Sequence, residues 1–450
     1  MKTAFRLSVI AAAMSCTIAT PVFAQDAAAP TPEEELAAMR AQLQTLTSRI
    51  DQLETELEQT QAANSDQDAV IAANAEAVAK PAPEPKPAAQ LEKSGWTFKP
   101  RGRLMFDAGT LGAPESTGAD DGFGNEVRRA RLGASGDIPG GFGYKFELDF
   151  AGNEVEAADA ILTYEDGDFE VVIGHHNNFQ SLEELTSSLH TSFIERAAFT
   201  DAFGFERRIG LSANYSAGIV LAQAGVFTDN FDDTGTDNRG FDGRLVVMPK
   251  LGDTQLHFGG SVHYNDLGEE DATVRYRQRP LVHFTSTRFV NTGNLAADSE
   301  FGAGLEAAMI SGPFHAVAEG YWQNVDMPMA GNPTFFGGYA EVGYFLTGGD
   351  TRGYKGGKFD RTKPANPVGE GGMGSLQLNL RYDHLDLNDA GIIGGIQNGY
   401  QASLNWKPTD YTMFSVNYGR MEYTDSVLPT ADGDTDYGVD AFGVRAQVDF

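Results

Sequence analysis

Cysteine and long apolar runs are nearly absent from this chain of 450 residues, and each absence excludes a class of protein. The single cysteine, Cys16, lies near the N-terminus, so the rest of the chain holds neither a disulfide nor a cysteine-ligated metal. Beyond the N-terminus no run of 18 apolar residues occurs, which excludes a membrane protein built from helices.

Positive charge is also scarce. The chain has 33 lysines and arginines against 63 aspartates and glutamates, a formal net charge of -30. Nucleic acid is a polyanion that such a chain would repel, so we expect no nucleic-acid partner.

Residues 1–24 are predicted to be a secretory signal peptide. Lys2 and Arg6 precede an apolar stretch, and a small-x-small cleavage site, "VFA", ends at Ala24. Lipidation at Cys16 is the alternative, but "AMS" at 13–15 is a poor approach to a lipid-modified cysteine. Cleavage before Gln25 would leave the exported protein without cysteine.

Residues 33–60 are predicted to form a coiled coil. Their apolar residues are spaced alternately three and four apart, as in the a/d seam of a heptad repeat: Leu36, Met39, Leu43, Leu46, Ile50, Leu53 and Leu57. On a lone helix the apolar side chains of this seam would be exposed to water, so the segment either self-associates or folds back on its own domain. The alanine- and proline-rich linker at 61–93 is a stiff spacer and favours self-association.

From residue 94 onward, apolar and polar residues alternate. The stretch "FGYKFELDF" (142–150) places Phe142, Phe146 and Leu148 on one face and Lys145 and Glu147 on the other. About 16 such segments begin near residues 96, 127, 142, 157, 168, 206, 219, 240, 255, 301, 313, 334, 374, 398, 411 and 440. Many connections alternate between short and long, which is typical of a transmembrane β-barrel. A soluble β-sandwich also alternates, but its strands are usually shorter. The sequence therefore predicts an all-β fold, a 16-stranded antiparallel transmembrane β-barrel over 94–450, preceded by a short periplasmic α-helical coiled coil.

The last nine residues, "FGVRAQVDF" (442–450), are predicted to be the closing strand, which pairs with the first so that no backbone edge faces lipid. With 16 strands both ends of the barrel chain lie on the short-turn side, which we expect to be the periplasm. If the apolar segment at 281–289 were also a strand, the barrel would have an odd number of strands and its two ends would lie on opposite sides of the membrane. We therefore assign this segment to a long external loop. The glycine-rich link at 347–373 breaks the alternation of lengths, because by parity it lies on the short-turn side.

Four stretches are also distinctive: "NEVRRARLGASGDI" (125–138), "YKFELDFAGN" (144–153), "SLEELTSSLHTSFIERA" (181–197) and "LRYDHLDLND" (380–389). They resemble the outer-membrane porin O/P family, often called phosphate-selective porins. The resemblance implies a 16-stranded barrel that associates as a homotrimer and passes anions through a lumen narrowed by the loop at 178–200. It also implies arginines laddered along the inner wall. The inward positions expected from alternation are Arg101, Arg103, Arg129, Arg131, Arg208, Arg381 and Arg445.

The predicted constriction loop carries its own charged and titratable residues, namely Glu183, Glu184, His190, Glu195 and Arg196. Ser181 and Glu184 form an S-x-x-E capping box, which predicts the start of a short helix. Just before this box, relatives commonly have a lysine-bearing segment, whereas this chain has "GHHNNFQ" (174–180). Histidine is mostly neutral at pH 7, so a fixed positive charge is lost and phosphate specificity is not carried over.

Together these features predict an outer-membrane porin of a Gram-negative bacterium, surrounded by lipid and lipopolysaccharide. Small hydrophilic solutes or inorganic anions would diffuse through it passively, with a weak anion preference that leaves phosphate open. The alternative is a tether between outer membrane and cell wall, with the barrel as its anchor. The eight histidines form no converging set of metal ligands, so we predict neither an enzyme, a metal site nor a cofactor.

Overall fold

The structure, a computed structural model, describes residues 95–152, 154–230, 237–268, 272–328 and 331–450. The predicted signal peptide, coiled coil and linker lie outside these residues. Within the described ranges no helix has the length and apolar character needed to cross a bilayer.

Long strands make up most of the described chain. They are β1 (Lys99–Gly112), β2 (Gly122–Ile138), β3 (Phe142–Asp149), β4 (Glu156–Asp166), β5 (Phe169–Asn177), β6 (Arg207–Ala217), β7 (Val220–Phe227), β8 (Arg239–Val247), β9 (Thr254–Asp266), β10 (Ser299–Ser311), β11 (Phe314–Asp326), β12 (Thr334–Phe345), β13 (Ser375–Asp389), β14 (Ile392–Thr409), β15 (Thr412–Thr424) and β16 (Tyr437–Asp449). A two-residue strand, Lys250–Leu251, extends the hairpin between β8 and β9.

Each of these strands pairs with its neighbours in the chain, and the sheet closes on itself. Strand β16 runs antiparallel to β1, with Arg103 opposite Asp449 at one end of the seam and Gly112 opposite Asp440 at the other. Backbone hydrogen bonds of 3.1 Å in both directions between Gly102 and Phe450 carry this seam to the final residue. The predicted 16-stranded barrel is confirmed, and closure leaves no edge strand exposed to lipid.

The two faces of the strands have opposite character, as the alternation predicts. On β3, Phe142 and Phe146 are 50% and 46% exposed on the outside, whereas Glu147 on the inside is 2% exposed. Apolar side chains thus form the outer surface and charged ones the interior, the inverse of a water-soluble protein.

The connections differ between the two ends of the barrel. Short turns lie at one end, for example between β2 and β3 and between β6 and β7. The other end carries the long connections 178–206 and 267–298. The apolar segment 281–289 lies in the second of these, as predicted, and two small ladders brace that loop.

One long connection, 346–374 between β12 and β13, lies on the short-turn side, as parity predicts. It contains a small hairpin in which Gly353–Lys355 pairs with Lys358–Asp360, here named the lumen hairpin. The Gly357 carbonyl accepts a hydrogen bond of 2.8 Å from Arg244 of β8. The Tyr354 hydroxyl lies 2.6 Å from Nδ1 of His257 on β9. Because both wall residues are buried and face inward, the hairpin lies inside the barrel.

An apolar cluster fills part of the lumen near the long-loop end. Loop residues such as Phe199, Phe203 and Phe289 pack there against inward-facing Leu385 and Tyr423. Alternation predicts polar side chains at such inward positions. At the ends of these strands the inward face is apolar because the long loops cover it from within, whereas the outward face carries polar side chains such as Asp386 and Glu422.

The seam of the barrel requires a residue without a Cβ at Gly109, which lies opposite Gly443. A Cβ at position 109 would approach the Phe442 carbonyl oxygen to 2.1 Å, whereas a Cβ at Gly112 would meet its nearest atom at 3.9 Å. We expect Gly109→Ala to reduce closure, because backbone atoms cannot move aside as side-chain tips can. Heat-modifiable migration on detergent gels measures the folded fraction. Gly112→Ala is the control, and equal folding of both variants would contradict this account of the seam.

Candidate functional site

The connection 178–206, here named the inner loop, folds into the barrel after β5. It contains two short helices, α1 (Leu182–Leu185) and α2 (Ala198–Ala202). The Ser181 hydroxyl accepts hydrogen bonds from the backbone N–H groups of Glu183 and Glu184, at 3.1 and 3.3 Å. The predicted N-cap is therefore present, since these groups have no partner within the helix.

Buried charges on the wall hold the start of this loop. Glu319 of β11 accepts hydrogen bonds of 2.8 Å from the backbone N–H groups of Leu182 and Glu183. Arg381 of β13 donates to Glu183 at 2.7 Å and to Glu341 of β12 at 2.8 Å. The Arg381 guanidinium is buried between these two carboxylates, so its removal would leave both without their guanidinium partner.

Uncharged side chains of the last strands hold the middle of the loop. The Ser192 carbonyl accepts hydrogen bonds of 2.7 and 2.8 Å from Ser403 and Asn405 of β14. The Ile194 N–H donates to Asn417 of β15 at 3.2 Å. Inward polar residues on each of the strands β11, β13, β14 and β15 thus bind the inner loop.

Glu195 joins the inner loop to both sides of the seam. It accepts hydrogen bonds from Arg128 of β2, at 2.7 and 3.1 Å, and lies 3.4 Å from Arg445 of β16. Arg445 also forms two 2.7 Å hydrogen bonds with Asp107 of β1. Burial alone would raise the pKa of Glu195, but Arg128 holds it well below its usual value.

Two large cavities lie along the opposite wall of the described barrel. The one toward the long loops measures about 800 Å³ and the one toward the short turns about 830 Å³. They meet at five residues that line both: Arg129, Arg131, Glu184, Arg196 and Arg207. The two cavities therefore adjoin beside the inner loop, and their junction carries four guanidinium groups and one carboxylate.

Ion pairs with carboxylates hold in place the cations at this junction and in the cavity toward the short turns. Glu147 of β3 lies 3.2 Å from both Arg103 and Arg131, and Arg131 also contacts Asp149 at 2.7 Å. On the next strands Arg207 pairs with Asp159 at 2.9 Å, and Lys145 binds the same carboxylate. These pairs bring four cations together with three carboxylates, so one positive charge remains in excess within this set.

Arg129 differs from these residues because it has no carboxylate partner among the described residues. Its only polar contact there is with Sδ of Met105, at 4.0 Å. Glu184, at the same junction, lies 3.4 Å from Arg196. Burial raises the pKa of Glu184 above its usual value, so this carboxylate gains a proton earlier than exposed ones as pH falls.

His190 of the inner loop adds no charge. Burial, together with Lys407 and Arg361, lowers its pKa to about 3. Its Nε2 lies 3.6 Å from Asp360, but with this pKa the contact is between a neutral ring and a carboxylate.

The structure divides the predicted residues into two groups. The cavities are lined by Arg101, Arg103, Arg129, Arg131, Glu184, His190, Glu195 and Arg196. The remainder line neither cavity: Glu183, Arg208, Arg381 and Arg445. Of these, Glu183, Arg381 and Arg445 fasten the inner loop, and Arg208 faces inward with a buried Nη1 that has no hydrogen-bond partner.

Alternation missed two lining arginines on the barrel strands, Arg128 and Arg207. The β1–β2 register shifts between Met105 and Phe106, and this bulge turns Arg128 inward beside Arg129. The doubled arginine in "VRRAR" is the only signal of this, because one of the two would otherwise face lipid. Arg207 begins β6, where alternation is not yet established.

A sequence model of the family described as phosphate-selective porin O and P matches residues 98–450. The chain belongs to this family. A Caulobacter vibrioides protein described as uncharacterized is 44% identical to this porin over 475 positions, which cover 99% of this chain and 96% of the relative.

Solved porins share the fold of this porin. An anion-selective porin from Comamonas acidovorans is 12% identical with a TM-score of 0.52, covering 79% of this chain and 100% of the other. OmpT of Vibrio cholerae is 11% identical with a TM-score of 0.51, covering 79% and 98%. Family and fold are those of an outer-membrane channel and not those of an enzyme.

The anchor at Arg381 generates a prediction. Arg381→Met should release the start of the inner loop, because Glu183 and Glu341 would be left buried without a cation, at a cost of roughly 3–5 kcal/mol. Protease cleavage within 178–206 of the purified porin, followed over time, measures the release.

The matched control is Arg420→Met. Arg420 forms 2.7 Å pairs with Glu422 and Asp440, but its side chain is 39% exposed, and such pairs contribute about 0–1 kcal/mol. Equal cleavage of the two variants would show that Arg381 does not anchor the loop.

Proposed function

We propose that this porin allows passive diffusion of small hydrophilic solutes, with a weak preference for anions, through a lumen narrowed by the inner loop. The observation that carries the proposal is the junction of the two cavities, where four arginines face one glutamate. A solute that follows the path passes all five side chains.

Short-range electrostatics support the anion preference. The Debye length is about 8 Å at physiological salt, so a permeating ion responds to charges that line its path more than to the total. The lumen hairpin supplies two cations, Lys355 and Lys358, and one carboxylate, Asp360, to the cavity near the short turns. The net charge of -30 thus gives no direct measure of the field inside.

The anion preference that we propose is weak and applies to small anions in general. At the site where relatives commonly carry lysine, His175 and His176 are buried on β5 and supply no fixed charge. Several lining cations are also already paired with Asp149 and Asp159. This arrangement favours small anions as a class over phosphate in particular.

The two adjoining cavities also favour a channel over the alternative function as a tether, since an anchor needs no space inside the barrel. A conductance recording in a planar bilayer separates the two, because an anchor would show no current.

Selectivity is predicted to depend on Arg129. In a potassium chloride gradient the reversal potential of the porin should lie toward the chloride equilibrium potential. Arg129→Gln should move it toward zero, because this guanidinium has no carboxylate partner and its field acts directly on the path.

Arg420→Gln serves as the control, since it removes the same charge at a position that lines neither cavity. A reversal potential for the unmodified porin on the potassium side would refute the anion preference while leaving the channel intact. Equal shifts in the two variants would show that Arg129 does not face the path.

We also propose that 33–60 is a periplasmic coiled coil that joins three copies of the porin. The heptad seam supports this, and it leaves strand number open. A peptide of residues 33–60 should sediment as a trimer, and Leu46→Asp should make it monomeric by placing a charge in the seam. Gln44→Asp, on the outer face, is the control. A wild-type peptide that sediments as a monomer would overturn the proposal.

A further inference from the structure

The junction of the two cavities contains one side chain whose charge changes with pH under mild conditions. Of the five residues that line both cavities, four are arginines, which stay charged at any pH at which the protein works. The fifth is Glu184 of the inner loop. Among the described residues, a change in the charge of the junction itself can therefore come only from this carboxyl group.

The Glu184 carboxylate is held more weakly than that of Glu195, its neighbour on the inner loop. Its one ion pair, with Arg196, measures 3.4 Å, and no hydrogen bond to it occurs in the described chain. Glu195, by contrast, accepts hydrogen bonds of 2.7 and 3.1 Å from Arg128. Glu184 is only 9% exposed, so its charged form has little solvation and no strong donor.

The charged groups around Glu184 come from four elements of the structure. They are Arg129 and Arg131 of β2, Arg207 of β6, Glu183 and Arg196 of the inner loop, and Lys358 and Asp360 of the lumen hairpin, which packs against α1. Burial raises the pKa of Glu184 above its usual value, although three of these arginines act in the opposite direction. The group therefore gains a proton at a pH at which an exposed glutamate is still ionised.

Loss of the Glu184 charge leaves the inner loop in place. The Arg196 guanidinium donates hydrogen bonds of 3.0, 3.1 and 2.9 Å to three backbone carbonyl groups of the same loop, those of Glu183, Glu184 and Thr186. The start of the loop is held separately by Glu319. Neutralisation of Glu184 thus changes the charge of the junction without removing an anchor of the loop.

We propose that Glu184 is a specificity-determining residue of the channel and that its protonation strengthens the preference for anions. The inference rests on the proposed function. With the carboxylate ionised, the junction holds four positive charges and one negative charge, and with it neutral only the positive charges remain. Because protonation follows a fall in pH, acid conditions raise the permeability of anions relative to cations.

The test measures the reversal potential of the purified mature porin in a potassium chloride gradient. The two conditions are about pH 7.5 and about pH 5.5, since a glutamate of ordinary pKa is still mostly ionised at both. The ratio of chloride to potassium permeability should rise about twofold on acidification, because ions at the junction pass within a Debye length of this carboxyl group. An unchanged ratio in the unmodified porin would overturn the proposal, and this measurement needs no variant.

Glu184→Gln should give the acid ratio at both pH values, since the amide is neutral throughout. Histidines that line the cavities also gain charge as pH falls, and His283→Gln controls for them. His283 lines the cavity toward the long loops, with Nδ1 2.9 Å from Glu126, and its variant should retain the pH response. A response in Glu184→Gln equal to that of the unmodified porin would also overturn the proposal.

The same recordings separate this inference from the function on which it rests. Absence of current would refute the channel itself. A potential on the potassium side that shifts with pH only when Glu184 is present would refute the anion preference near neutral pH and still support the role of Glu184.

Discussion

The whole architecture depends on one constraint, which is that hydrocarbon offers no partner to a backbone N–H or C=O group. A sheet in lipid must therefore close, and it does so here by pairing β16 with β1 up to the backbone of Phe450. Closure fixes which face of each strand meets lipid and which is enclosed. The features that distinguish this porin therefore lie inside the barrel, where the strands present charges and hydrogen-bonding groups to the long connections.

The two sides of the barrel wall have different roles in the interior. Strands β11 to β16 hold the inner loop through Glu319, Arg381 and the amides of β14 and β15. The wall opposite keeps its arginines for the two cavities. Arginine thus has two roles, as a structural anchor of the loop at Arg381 and as a cavity-lining charge at Arg129.

The fold could be predicted from the sequence because a barrel in lipid imposes a period of two on every strand, and a one-residue error would place charges such as Glu147 in hydrocarbon. The site could be predicted only in part. Alternation identifies Arg103 and Arg131 as inward but cannot tell a cavity-lining arginine from one that holds a loop, such as Arg381. That distinction depends on contacts between residues some 200 positions apart in the chain, as between Glu183 and Arg381. A local bulge, as at Arg128, is equally invisible to a periodic pattern.

The position of the loop's anchors along the chain has a consequence for biogenesis. The inner loop follows β5, yet four of the side chains that fasten it belong to the last four strands, namely Arg381, Ser403, Asn417 and Arg445. While the chain is being inserted into the membrane, the loop has no complete binding surface until those strands are in place. Sealing of the sheet and docking of the loop must therefore be late, coupled events, so a half-assembled barrel would lack the partition that divides its interior.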